Sequence, residues 1–284
     1  MNAPRHVPLD GTGSLRNQVA RNIRAAIDAG GLRHGQVLPT TRELAEEWDV
    51  SVFTITEAMK ELTADGLIVT KSRSNRVVNA PNQPYAPLTV DRPQVILIGG
   101  YAGSGKTELA RILARRTGWP VLDKDTLTRP VVENALEAHG HSPHDRESDL
   151  YLTTIRPLEY EALAAAAREN VECGNCALVA APFVQEFSDS SWLSRTRASF
   201  TALGAKLTIT WVYCDPNTMH TYLRHRGAAR DSAKLADWPG WIRQIDTALR
   251  PKAPHVMVDN SQSSAPLQDQ AMSLLDSLVP APAP

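Results

Sequence analysis

Cysteine is scarce in this chain. Three residues, Cys173, Cys176 and Cys214, are an odd number and too few for a disulfide framework, so a reducing compartment is expected. Long apolar runs are missing as well. Stretches such as Val95–Ile98 fall far short of the roughly 18 residues a membrane helix needs, which excludes a membrane-spanning role. Met1-Asn2-Ala3-Pro4-Arg5 leads into no apolar segment of the kind a secretion signal carries, so the expected location is the cytoplasm. Nor is there an excess of one charge sign. Thirty Lys+Arg stand against 31 Asp+Glu, a net charge of −1, which provides no overall field for gripping nucleic acid. Residues 1–79 carry 10 basic against 9 acidic residues (+1), and residues 80–284 carry 20 against 22 (−2). Any contact with DNA must therefore come from local placement of charge.

What is present is an ordinary globular composition, 42% hydrophobic over 284 residues, enough for one large domain or two average ones. Prolines at 81, 84, 87 and 93 mark an extended linker over residues 80–93, because proline lacks an N–H and restricts its predecessor. This divides the chain into residues 1–79, a linker, and residues 94–284. The linker is long enough for the two parts to move independently. The Pro-Ala tail over 279–284 is expected to fray.

In the first part, Leu15, Val19, Ile23 and Ile27 recur every fourth residue with arginines between them, predicting an amphipathic helix ended by Gly30-Gly31. Thr40 followed by Glu43 predicts a capped second helix, and Ser51 a third carrying Ile55, Met59 and Leu62. Leu67–Thr70 and Arg76–Val78 alternate as a hairpin with a basic tip. Three helices and a basic hairpin make a winged helix-turn-helix, whose third helix enters the major groove. The run from Leu15 to Val78 resembles the DNA-binding domain of GntR-family regulators through Gly35, Leu38-Pro39, Arg42-Glu43-Leu44-Ala45, Val50-Ser51, Ala58, Leu62 and Gly66-Leu67-Ile68. The resemblance implies contacts to duplex DNA from Arg42, Thr54, Lys71, Arg73 and Arg76, and a homodimer on a two-fold operator. Two places, four residues in all, depart from the pattern. Val52 and Thr56 stand where the family usually has basic residues, and the wing tip holds Ser74 and Asn75 instead of glycines. Fewer phosphate contacts imply a shallow salt dependence.

The second part opens on the buried-strand pattern Gln94-Val95-Ile96-Leu97-Ile98, which runs into Gly100-Tyr101-Ala102-Gly103-Ser104-Gly105-Lys106-Thr107 and then a helix. This is G-x-x-x-x-G-K-T in its proper strand–loop–helix context, a P-loop. Gly100, Gly103, Ser104 and Gly105 let backbone N–H groups curl around phosphate at a helix N-terminus. Lys106 reaches the β- and γ-phosphates of ATP, and the Thr107 hydroxyl holds Mg²⁺. Val121–Asp125 reads as a second strand ending in D-x-D, with Asp123 and Asp125 either facing a phosphate acceptor or capping the next helix. Strands at 177–183, 206–213 and 255–261 complete an α/β fold, a parallel sheet with flanking helices.

Arginines after the fourth strand, Arg224, Arg226 and Arg230, have the spacing of a kinase lid, or else form a solvated basic helix end. Residues 94–276 resemble the P-loop small-molecule kinases grouped around zeta-toxin-like, chloramphenicol-phosphotransferase-like and shikimate-kinase-like proteins. That resemblance implies Lys106 and Thr107 for ATP–Mg²⁺ and Asp123 and Asp125 for magnesium water and the acceptor. It assigns Arg224 to adenine stacking, and Arg226 and Arg230 to transition-state charge. Cys173-Gly-Asn-Cys176 and the cluster His139, His141, His144 lack the four-ligand spacing of a structural zinc site. The expected function is a GntR-type regulator whose P-loop domain binds ATP–Mg²⁺ and transfers phosphate to a small-molecule hydroxyl. Two alternatives stand beside it: a phosphotransferase with the winged helix as an accessory or dimerising module, and a catalytically silent nucleotide sensor.

Overall fold

The computed structural model describes residues 15–71, 75–80, 88, 90–226 and 229–278, without the side chains of residues 225, 226, 230 and 233. Arg73, most of the linker and the Pro-Ala tail lie outside the described residues.

The N-terminal unit is three helices and a hairpin. Helices α1 (Leu15–Asp28), α2 (Thr41–Trp48) and α3 (Val52–Ala64) precede strands β1 (Ile68–Thr70) and β2 (Arg76–Val78), which pair antiparallel. The caps fall where the sequence put them. Thr40 and Glu43 close a reciprocal capping box on α2, and the Ser51 hydroxyl accepts from the Thr54 N–H at the start of α3. Val19, Ile23, Ile27, Leu44, Ile55, Met59 and Leu62 meet in one buried core.

The C-terminal unit is a five-stranded sheet built from β3 (Gln94–Gly99), β4 (Val121–Asp123), β5 (Ala177–Ala180), β6 (Lys206–Tyr213) and β7 (Val256–Asp259). Its spatial order is β4-β5-β3-β6-β7 and every pairing is parallel. Strand β3 is buried throughout because both faces are covered. Val95 and Leu97 face a core with α6 (Arg156–Glu172), α7 (Val184–Ser188) and α8 (Ser190–Ala202). Ile96 and Ile98 face the opposite core, with α4 (Lys106–Thr117) and α12 (Leu267–Asp276). Between these lie α5 (Lys124–Ala138), a π-helical turn over Leu150–Ile155, and the segment α9 (Pro216–Arg226), α10 (Ser232–Ala236) and α11 (Trp238–Gln244).

Three strands are shorter than the sequence reading: β5 stops at Ala180, β7 spans Val256–Asp259, and β4 matters most for the site. The second strand stops at Asp123, and Asp125 lies in the first turn of α5, because Asp123 caps that helix by accepting from the Thr126 N–H at 3.1 Å. The shift leaves both carboxylates at the carboxyl edge of the sheet. There the chain leaves central β3 for β4, returns to β5 and crosses to β6, the kind of reversal where open α/β sheets bind ligands.

The two units touch. The Arg21 guanidinium of α1 donates to the carbonyls of Gln262, Ser264 and Ala265 at 2.8, 2.6 and 3.1 Å. Leu88 and Val90, from the Pro-rich stretch, pack against the core under α4 and α12.

Candidate active site

The site begins where β3 ends. Gly103 and Gly105 sit at φ of +80° and +97°, a backbone that L side chains rarely adopt. A Cβ at Gly105 would collide with the side-chain amide of Asn260, and one at Gly103 would press on Leu223 at 2.9 Å. The loop is fixed from three sides. The Gly100 N–H donates to the Pro182 carbonyl at 3.1 Å, the Lys106 ammonium to the Tyr101 carbonyl at 2.7 Å, and the Asn260 amide to the Ser104 carbonyl at 3.1 Å. Helix α4 starts at Lys106, so its first N–H groups point into the loop unused by the helix. The Ser104 hydroxyl is buried with no hydrogen-bond partner. A glycine-rich loop at a helix N-terminus with an orphaned buried hydroxyl fits a phosphate chain.

Magnesium fits beside it. The Thr107 hydroxyl donates to Asp123 Oδ2 at 2.7 Å, bringing one hydroxyl and one carboxylate together at the mouth of the loop, a hard-oxygen pair suited to that ion. Asp123 is thus both helix cap and P-loop neighbour. Of the two alternatives read from the sequence, the helix cap is the one seen at Asp123.

A cavity of about 250 Å³ opens from this point, lined among others by Lys106, Thr107, Asp123, Asp125, Pro182 and Lys234. Its far wall was not foreseen. Lys124 is buried and pairs with Glu159 at 2.8 Å, and its ammonium lies 3.3 Å from Asp125 Oδ1. Glu159 also accepts from the hydroxyls of Thr128 at 2.5 Å and Tyr151 at 2.8 Å. A second ion pair, Arg156 with Glu186 at 2.8 Å, stands beside the first, with the guanidinium over the Tyr160 ring at 4.3 Å. Burial, reinforced by Glu159 and Glu186 respectively, raises the pKa of the Tyr151 and Tyr160 hydroxyls, so both remain phenols able to donate. Arg146, over the Tyr151 ring at 5.1 Å, completes the wall. Lys124 and Asp125 were adjacent in the D-x-D. By contrast, Glu159 and Arg156 sit in a helix with nothing local to mark them.

The lid is described only in part. Asp231 and Lys234, a pair at 3.9 Å, line the cavity from the segment after α9. Arg224 is exposed on α9 beside His220, whose pKa is lowered by burial and then by that guanidinium. The side chains of Arg226 and Arg230 lie outside the described residues. Trp238 and Trp241 pack with tilted rings at 5.1 Å beside the small core of this segment. Phe183 packs against Phe187 at 5.0 Å and away from the cavity, which Ala180, Ala181 and Pro182 line. Cys176 and Cys214 are buried as small apolar residues, and among the described residues no group of His, Cys, Asp and Glu could hold a metal alone.

Among known proteins, residues 95–251 match the family model described as "AAA domain". The chain belongs to that family. Residues 15–78 match the model of bacterial regulatory proteins of the gntR family, so a GntR DNA-binding domain is fused to a P-loop kinase-like domain. A shikimate kinase of Moorella thermoacetica is 40% identical over 81 residues, 28% of this chain and 43% of the relative. The vitamin B6 salvage pathway transcriptional repressor PtsJ of Salmonella typhimurium is 33% identical over 121 residues, 42% of this chain and 28% of the relative. The chain thus spans less than half the length of either. The structure of a gluconokinase from Sinorhizobium meliloti aligns over 66% of this chain and 93% of its own, with 18% identity and a TM-score of 0.43. Among the described residues, no helix is long and apolar enough to cross a membrane.

On the DNA-binding side, Arg42 and Lys71 are exposed, and the Arg76 guanidinium donates to the Thr41 hydroxyl at 2.7 Å, drawing the wing towards the start of α2. Thr54 is held in the α3 cap, its hydroxyl 2.8 Å from that of Ser51.

Proposed function

We propose that this protein is a cytoplasmic, DNA-binding regulator whose AAA domain binds ATP–Mg²⁺ and transfers the γ-phosphate to a hydroxyl of a small molecule held in the 250 Å³ cavity. The observation that carries the reading is the meeting of Thr107 and Asp123 at the loop mouth with Asp125 on the wall of the same cavity. Motor-type ATPases put the magnesium carboxylate after a different strand, and here β5 ends in Ala180-Ala181-Pro182.

The P-loop N–H groups and the Lys106 ammonium bind the phosphate chain, and Thr107 with Asp123 would hold the metal. Bound there, magnesium supplies charge neutralisation on the phosphate oxygens. Asp125 accepts the proton of the acceptor hydroxyl, with its carboxylate oriented by the neighbouring Lys124 ammonium. Lys234 lines the cavity and stabilises charge on the transferring group, a role the sequence also assigns to Arg226 and Arg230, while Arg224 stacks on the base. The buried Glu159–Lys124 and Glu186–Arg156 pairs hold the acceptor wall rigid.

The N-terminal domain binds an operator as a homodimer through Arg42, Thr54, Lys71, Arg73 and Arg76. Arg21 grips the loop that follows β7, and Asn260 of that same loop holds the P-loop, so the nucleotide state has a direct path to the winged helix.

The test is phosphate transfer from γ-labelled ATP to a panel of hydroxylated small molecules, with hydrolysis to water as fallback. Asp125→Asn is expected to cut turnover by about 10²–10⁴ while leaving ATP affinity nearly intact. Wild-type protein that binds ATP but neither transfers nor hydrolyses it would leave the silent sensor as the correct reading.

A further inference from the structure

We infer that the third helix of the winged domain reads its operator through apolar contact with thymine methyl groups. The inference rests on the proposed DNA-binding role.

Helix α3 turns Val52, Phe53, Thr56, Glu57 and Lys60 away from the core formed by Ile55, Ala58, Met59 and Leu62. Phe53 is 73% exposed and Val52 49%, the two most outlying apolar side chains of the domain's helices. Water is a poor environment for a phenyl ring, and helix propensity favours many polar residues over phenylalanine at an exposed position. The polar side chains of the same face are already engaged. The Thr56 hydroxyl donates to the Val52 carbonyl at 2.8 Å, and Glu57 is paired with Lys60 at 2.7 Å. Ser51 and Thr54 serve the cap. No guanidinium or side-chain amide stands on this face, and those are the groups that read guanine and adenine by paired hydrogen bonds.

An apolar pair at the first turn of a groove-entering helix has one partner among the base edges, the 5-methyl group of thymine. The surroundings complement DNA. The exposed Arg42 on α2, Lys71 after β1, and Arg76 held by Thr41 at the start of α2 give the same domain positive charge suited to phosphates. The helix therefore specifies thymine, while the basic residues fix register without regard to sequence.

The experiment uses the full chain to select duplexes from a random pool at low salt. Each selected duplex is then remade with deoxyuridine in place of single thymines, which removes the methyl and nothing else. Wild-type protein is expected to bind about fourfold more weakly for each contacted methyl lost, the factor that corresponds to burying one methyl-sized group. Phe53→Ala is expected to bind the thymine and uracil duplexes equally. Val52→Ala is expected to lose discrimination at a neighbouring position. Arg42→Ala should weaken both duplexes by the same factor. Equal binding of thymine and uracil duplexes by the wild type overturns the inference. Failure to select any duplex overturns the DNA-binding role itself, a separate result. If Phe53→Ala keeps the thymine preference but shifts the sedimentation coefficient from dimer to monomer, the patch is a contact between two copies of this chain and the inference fails.

Discussion

Single side chains decide whether the cavity wall holds its shape. Lys124 is buried, and its ammonium is neutralised by Glu159, whose other oxygen accepts from Tyr151. Removing one member of such a pair strands a charge in a poor solvent, which costs about 3–5 kcal/mol, whereas removing both is often nearly neutral. Lys124→Met is therefore expected to lower the unfolding free energy by about that amount in urea titration. Lys124→Met combined with Glu159→Leu should recover much of the loss. A single variant as stable as the wild type would mean the pair is not buried in solution. Sequence reading saw Asp123 and Asp125 because D-x-D is local. It could not see Glu159 or Arg156, since a carboxylate and a guanidinium in a helix look alike whether they face water or a cavity.

At the scale of elements, the loop between β3 and α4 is the part most tightly specified. Its glycine at position 105 combines a left-handed backbone with the Asn260 amide lying where a side chain would go. Gly105→Ala is expected to push Asn260 off the Ser104 carbonyl and to weaken ATP binding by more than tenfold, as measured by titration calorimetry. Circular dichroism should remain that of the wild type, because the strand and helix on either side are held by their own cores. The boundary of β4 is instructive for the same reason. Asp123 ends the strand as the D-x-D pattern predicts, but one of its carboxylate oxygens caps α5 and the other meets Thr107, so helix starts immediately after it and Asp125 falls in the helix. A carboxylate that caps a helix and one that meets a P-loop hydroxyl have the same sequence signature, and only the placement of α4 across from it reveals both contacts.

At the scale of the whole molecule, the seam between the two units is charged. Asp28, the last residue of α1, is faced by Arg24 on its own helix, by Arg115 and Arg116 on α4, and by Asp269 on α12. Burial dominates and raises its pKa in spite of the three guanidiniums, with Asp269 adding to the rise. A carboxyl group whose folded pKa is raised binds its proton more readily when folded than unfolded. Its contribution to stability is full below the unfolded value and is lost as pH rises through the folded one. Asp28 thus contributes a fall in melting temperature with rising pH across that acidic window, opposed by carboxyls such as Asp145 whose pKa is lowered. Asp28→Asn should remove that contribution and be the more stable protein at neutral pH; an unchanged slope would show that Asp28 is solvated. The sequence by itself determined a great deal: the caps at Thr40 and Ser51, the winged-helix pattern, the P-loop and the apolar strand that carries it. Each of these is a relation between residues close in the chain, enforced by backbone geometry or by a fixed period of burial. Tertiary structure alone decided the ion pairs along the cavity wall, the coupling of Thr107 to Asp123, and the grip of Arg21 on residues more than 240 positions away. Those depend on which helix packs against which face of the sheet. No local preference encodes that choice, because it is made by the sum of two hydrophobic cores.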